Sequence, residues 1–159
     1  MFQWNILHPM VVHFPIALLI VTPLFVLIGL LRIHDARVYA IGALILMALG
    51  TLGAYVAVES GEADKQTLVL NQLQRSLLAE HQELGEATRN AFTALTVLYA
   101  ALLFGSAVLQ RALSRRNYII LGVVFLVIYT GSLFLVVRTG DLGGRLVHRS
   151  GEHVHQTSR

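Results

Sequence analysis

The 159-residue chain contains no cysteine. That excludes disulfides, thiolate metal sites, iron–sulfur ligation by this chain and covalent haem attachment through Cys-x-x-Cys-His. Charge is also scarce: 13% of residues are charged against 55% hydrophobic, with a mean hydropathy of +0.66. Such a balance excludes an ordinary soluble globule and indicates an integral membrane protein. The net charge of +3 and a pI near 9.7 do not point to nucleic acid, because the arginines cluster beside the apolar runs, where basic residues set membrane orientation.

Four runs, at about 10–31, 38–58, 91–109 and 118–137, each approach the roughly 20 residues that a helix needs to cross the hydrocarbon core. The first is too long for a signal-peptide core and lacks the flanking basic residue and small-residue cleavage site, so it reads as a retained span. The expected fold is an all-α, single-domain, four-helix transmembrane bundle, with an outer tail at 138–159. Arg32 and Arg37 lie in the first connection, and Arg111, Arg115 and Arg116 in the third. Both connections are therefore expected in the cytoplasm of a bacterial inner-membrane protein, with both termini periplasmic.

The long second connection has a pattern of its own. Leu70, Leu73, Leu77, His81, Leu84, Thr88 and Phe92 recur at three- and four-residue spacing, which predicts an amphipathic helix at about 67–90 that runs or bends into the third span. In the second span, Gly53, Ala57 and Gly61 form a small-residue ridge. Such a ridge permits close helix packing and equally makes room for a flat macrocycle.

Six of the seven histidines (His8, His13, His81, His148, His153 and His155) fall at or beyond the outer ends of the spans. Ionisable side chains at such depths are costly and usually pair, bind something or line a path. Imidazole is a common protein ligand of haem iron. His8 precedes Pro9, which suits the first position of a helix, so His8 is expected at the N-cap and His13 just over a turn inside. Five residues set the two roughly 140° apart around a helix, a poor arrangement for joint ligation. His13 and His81 from different helices are therefore the expected axial pair of a haem b, with His8 as substitute for either and His148 as a weaker alternative. Gly85 lies one turn from His81 and clears space, while Arg138, Arg145 and Arg149 are placed to neutralise propionates. The His153-x-His155 pair has the residue types of a zinc or copper site but no defined fourth ligand.

HPMVVHFP at the first span, EHQELGEAT ahead of the third and the terminal GDLGGRLV resemble a family of small bacterial four-helix membrane proteins known as a transmembrane domain of unknown function. The resemblance spans nearly the whole chain, and HPxxVHFP is its most specific part. By position, His8, His13 and His81 match the family's histidines. Relatives fused to Rieske-type or cytochrome-like modules imply a place in electron transfer. Towards the C-terminus this chain departs from the pattern, with His148 where tyrosine is common and Ser150 where histidine is common.

Together these features lead to an electron-transfer protein, or a cytochrome subunit of a larger respiratory complex, serving a periplasmic or membrane redox partner, with lipid around it and a larger complex or homo-oligomer as its assembly. The competing expectations are a cofactor-free scaffold subunit and a metal-binding accessory that uses the outer histidines. Transport and hydrolysis have little support: no acidic residue lies at mid-membrane, Glu59 standing at the end of the second span, and no serine or carboxylate constellation flanks a histidine. For the topology, a cysteine placed at Ser114 should resist an impermeant thiol reagent in intact cells while one at Ser158 reacts. The opposite pattern would invert the assignment.

Overall fold

In a computed structural model, which describes residues 4–65, 72–108 and 114–156, the chain is built of four long helices. They are α1 (Trp4–Leu31), α2 (Ala36–Lys65), α3 (Gln72–Val108) and α4 (Arg115–Gln156), with a 3-10 turn, Ile33–Asp35, between the first two. Each has a stretch long and apolar enough to cross a membrane. Each is also longer than crossing requires. At 1.5 Å per residue α3 is about 55 Å long and α4 about 63 Å, against a hydrocarbon core of about 30 Å.

The extra length bears out one expectation and revises two others. The amphipathic stretch runs into the third span: from Gln72 onward it forms the first half of α3, while 66–71 lie outside the described residues. The segment expected as a tail from 138 continues α4 to Gln156 without a break. Its glycines, each costing about 1 kcal/mol in a helix interior, do not stop it. Finally, α1 already runs at Trp4, so His8 and Pro9 lie within the helix and His8 is not its N-cap. The carbonyl that Pro9 deprives of a donor belongs to Asn5, near the outer end of α1.

The helices form a ring in which α1 packs on α2, α2 on α3, α3 on α4 and α4 on α1, leaving α1 and α3 diagonal. One buried layer takes a residue from each: Leu19, Met47, Phe92 and Tyr129. The Phe92 and Tyr129 rings meet edge to face, 5.2 Å between centroids. Lipid is as apolar as leucine, so burial alone does not hold such helices together, and close packing and interhelical hydrogen bonds do. Gly50 faces Leu19 and Gly53 faces Pro15, where an added Cβ would come within 2.8 and 3.0 Å. At Gly53 the small-residue ridge thus serves helix packing. Between α2 and α3, the Thr51 and Thr96 hydroxyls lie 3.0 Å apart above the Phe92 carbonyl.

The tie between α1 and α4 has a specific cause. Pro23 has no N–H, so the Leu19 carbonyl four residues earlier loses its helical donor. The Tyr129 hydroxyl donates to that carbonyl at 3.1 Å, in the buried middle of the bundle. Tyr129→Phe should therefore destabilise the protein by about 1–3 kcal/mol, the cost of a buried unsatisfied carbonyl. In a Pro23→Ala background, which restores the donor, the same change should cost appreciably less. Reversible unfolding of the four-member cycle in detergent measures this, and an equal cost in both backgrounds would refute the link.

Candidate functional site

The residues with most chemistry gather where α3 and α4 run together beyond the middle layer. His81 is half-buried on α3, and its Nδ1 lies 3.0 Å from the Thr139 carbonyl oxygen of α4. A carbonyl only accepts, so Nδ1 carries the hydrogen and donates it. In the neutral ring, Nε2 then bears the lone pair.

The reason that a helical carbonyl is reachable at all is Gly143. A side chain on a helix lies over the turn before it, so residue 143 would cover the carbonyl of residue 139. Glycine leaves that carbonyl bare, and the imidazole fills the gap: an added Cβ would stand 3.1 Å from His81 Cε1. Below the ring, the Thr88 and Thr139 hydroxyls meet at 3.2 Å. Each also donates to its own helix, Thr88 to Leu84 O at 2.7 Å and Thr139 to Leu135 O at 2.8 Å. Two hydroxyl hydrogens serve three contacts, so the cross-helix bond alternates with the intrahelical ones. Outside the ring, Arg138 and Glu80 approach to 3.9 Å, and Arg145 holds Asp141 at 2.8 Å. All four are substantially exposed.

The other expected site residues are spread more widely. His13 is exposed on α1, and among the described residues the backbones of α1 and α3 do not approach each other closely. Height along the bundle separates the two α1 histidines. Thr139 lies ten residues, about 15 Å, beyond Tyr129, which bonds to Leu19. His8 lies eleven residues, about 16 Å, beyond Leu19, whereas His13 lies only about 9 Å beyond it. His8 is therefore level with the His81 contact and His13 is not. Gly85 has only Val58 nearby, 3.8 Å from an added Cβ, so a side chain would fit there. Gly140 and Gly144 of α4 face open space. His148, His153 and His155 lie on the last turns of α4, and their side chains are outside the described residues.

Thr139 was not among the expected site residues. Its signal was a threonine just ahead of the glycine-rich GDLGG, four residues before the glycine that exposes its carbonyl.

Residues 5–156 match the family model described as predicted membrane protein (DUF2231). The chain belongs to that family. No curated protein and no solved structure matches it. The family description carries membrane residence and no chemistry, so what the site does rests on its own geometry.

The donors present suit a haem better than a bare ion. Among the described residues no three His, Cys, Asp or Glu side chains converge, which leaves a bare ion short of ligands there. A haem supplies four nitrogens of its own and needs only one or two from the protein. An imidazole whose Nδ1–H is held by a carbonyl is the form in which metal-bound histidines are normally kept. His81 fits. An imidazole 15N spectrum of the purified chain above pH 8 should find His81 as the Nδ1–H tautomer, and Gly143→Val should abolish that signature by driving the ring from the carbonyl. An Nε2–H tautomer in the unmodified protein would refute the assignment.

Proposed function

We propose that this DUF2231 member is a membrane-embedded b-type haem electron-transfer protein, either alone or as a cytochrome subunit of a larger respiratory complex. The observation that carries the reading is the His81 imidazole, held by the Thr139 carbonyl with Nε2 as the basic nitrogen. His81 would be the anchored protein ligand of the iron. The hydrogen bond to Thr139 fixes the plane of its ring and increases the basicity of Nε2. The second ligand comes from α1, across the diagonal of the bundle: the choice is between His13 and His8, and height favours His8. Arg138 and Arg145 could turn from Glu80 and Asp141 to propionates, and the bare strip at Gly140 and Gly144 would leave room for the edge of a flat ring. When bound, haem b supplies a one-electron ferric–ferrous couple. The arginines at the other end orient the protein in the bacterial inner membrane so that His81 and both termini are periplasmic, within reach of a periplasmic or membrane redox partner.

A cofactor-free assembly subunit is the second reading. The same His81–Thr139 bond favours it, because it ties α3 to α4 with or without a bound group. A metal accessory has less support, since it must rely on His153 and His155.

The reduced-minus-oxidised visible spectrum of the purified full chain, expressed with ample haem, tests the proposal. Sharp low-spin bands are expected in the unmodified protein and in His34→Ala and His155→Ala. They should be lost in His81→Ala and in one of His8→Ala or His13→Ala, which identifies the partner. No haem in the unmodified protein would leave the assembly reading. Unchanged bands in His81→Ala would sink the ligand assignment.

A further inference from the structure

The end of the bundle opposite His81 serves only orientation in that reading, yet it holds two neighbouring hollows where the seam between α1 and α4 meets α2 and α3. The outer one, about 450 Å³, is lined by Leu31, Arg32, Ile33, His34, Asp35 and Arg115. The inner one, about 110 Å³, begins at the neighbouring residues Leu30 and Tyr118 and continues past Leu121 to Phe25, Tyr99 and Phe125. We infer that this seam is a specific site for one phospholipid with an anionic headgroup, its phosphate in the outer hollow and the first methylenes of an acyl chain in the inner one.

The order of side chains along the seam matches the order of groups along such a lipid. Arg32 and Arg115 come first, at the level of the phosphate. Among the described residues neither makes an ion pair, and Asp35 in the same hollow is not within salt-bridge range of either. Two unpaired guanidiniums at a membrane boundary keep their full attraction for a phosphate, which they bind through charge-assisted hydrogen bonds. Tyr118 follows, one turn along α4 from Arg115, with its hydroxyl against α1 at Gly29. It is a donor at the depth where a phospholipid carries its ester carbonyls. Leu30, Leu121, Phe25 and Phe125 line the rest, an apolar trough for methylenes. The packing at Gly122 closes the floor: an added Cβ there would lie 2.5 Å from Leu30. A water-soluble anion would leave the trough unfilled, and a zwitterionic lipid would bring a headgroup cation up against the two arginines.

Native mass spectrometry of the full chain in detergent, titrated separately with phosphatidylglycerol, phosphatidylcholine and glycerol phosphate, tests this. A saturable one-to-one phosphatidylglycerol adduct is expected, held at least tenfold more tightly than phosphatidylcholine and than glycerol phosphate. Arg32→Gln/Arg115→Gln should reduce phosphatidylglycerol retention about tenfold and leave phosphatidylcholine unchanged. Arg37→Gln/Arg116→Gln removes the same charge outside the hollow and should have little effect. Equal weakening by the two pairs would mean diffuse attraction and overturn the site. So would equal retention of the three ligands by the unmodified protein, a comparison that stands even if a variant fails to fold.

Discussion

Inside a bilayer no water takes up a stray backbone group, and the middle of this bundle is arranged around one such group. Pro23 strips the Leu19 carbonyl of its helical donor, and the Tyr129 hydroxyl reaches across from α4 to replace it. The bond fixes Tyr129 against Leu19, which sets the height of α4 relative to α1. Tyr129 in turn meets Phe92, and Phe92 meets the Thr51–Thr96 pair through its carbonyl. The layer that joins all four helices thus depends on meeting one polar demand in hydrocarbon, where leaving it unmet costs more than in water.

The same logic, with a different means, operates about 15 Å further along. There the carbonyl of Thr139 is exposed by a missing side chain, Gly143, and the donor that reaches it is an imidazole. The difference matters for chemistry. A tyrosine hydroxyl that has donated its only hydrogen has little further to do. A histidine that has donated from Nδ1 is left with a basic nitrogen on the other side of the ring, held in a fixed orientation. One contact thereby serves helix packing and holds the ring in the orientation that the proposed ligation requires.

The two ends of the bundle consequently have different characters. One carries histidine, threonine and glycine on extended helices that outreach the hydrocarbon. The other carries arginines and tyrosines at the boundary, over an apolar hollow. The first suits a flat group held between helices, and the second suits a lipid molecule that enters from the side. The two sites share no residue, so each can be altered without touching the other.

Much of this was legible in the sequence. The apolar runs determined a four-span helical membrane protein, because length and hydropathy alone decide what a bilayer accepts. The spacing of Leu77, His81, Leu84 and Thr88 put His81 on an apolar helical stripe, since helical periodicity is a local property. Helix ends were less legible. Pro9 and the glycines of GDLGG read as a start and a tail, yet α1 and α4 run through both, because contacts and water outside the helix compensate local costs of about 1–3 kcal/mol. The pairing of residues distant in sequence was beyond local pattern altogether. Nothing along the chain says that Tyr129 answers Pro23 or that Gly143 opens Thr139 to His81, nor that α1 and α3 are diagonal and His8, rather than His13, stands level with that contact. Those are matters of relative helix height and rotation, which only the packed bundle decides.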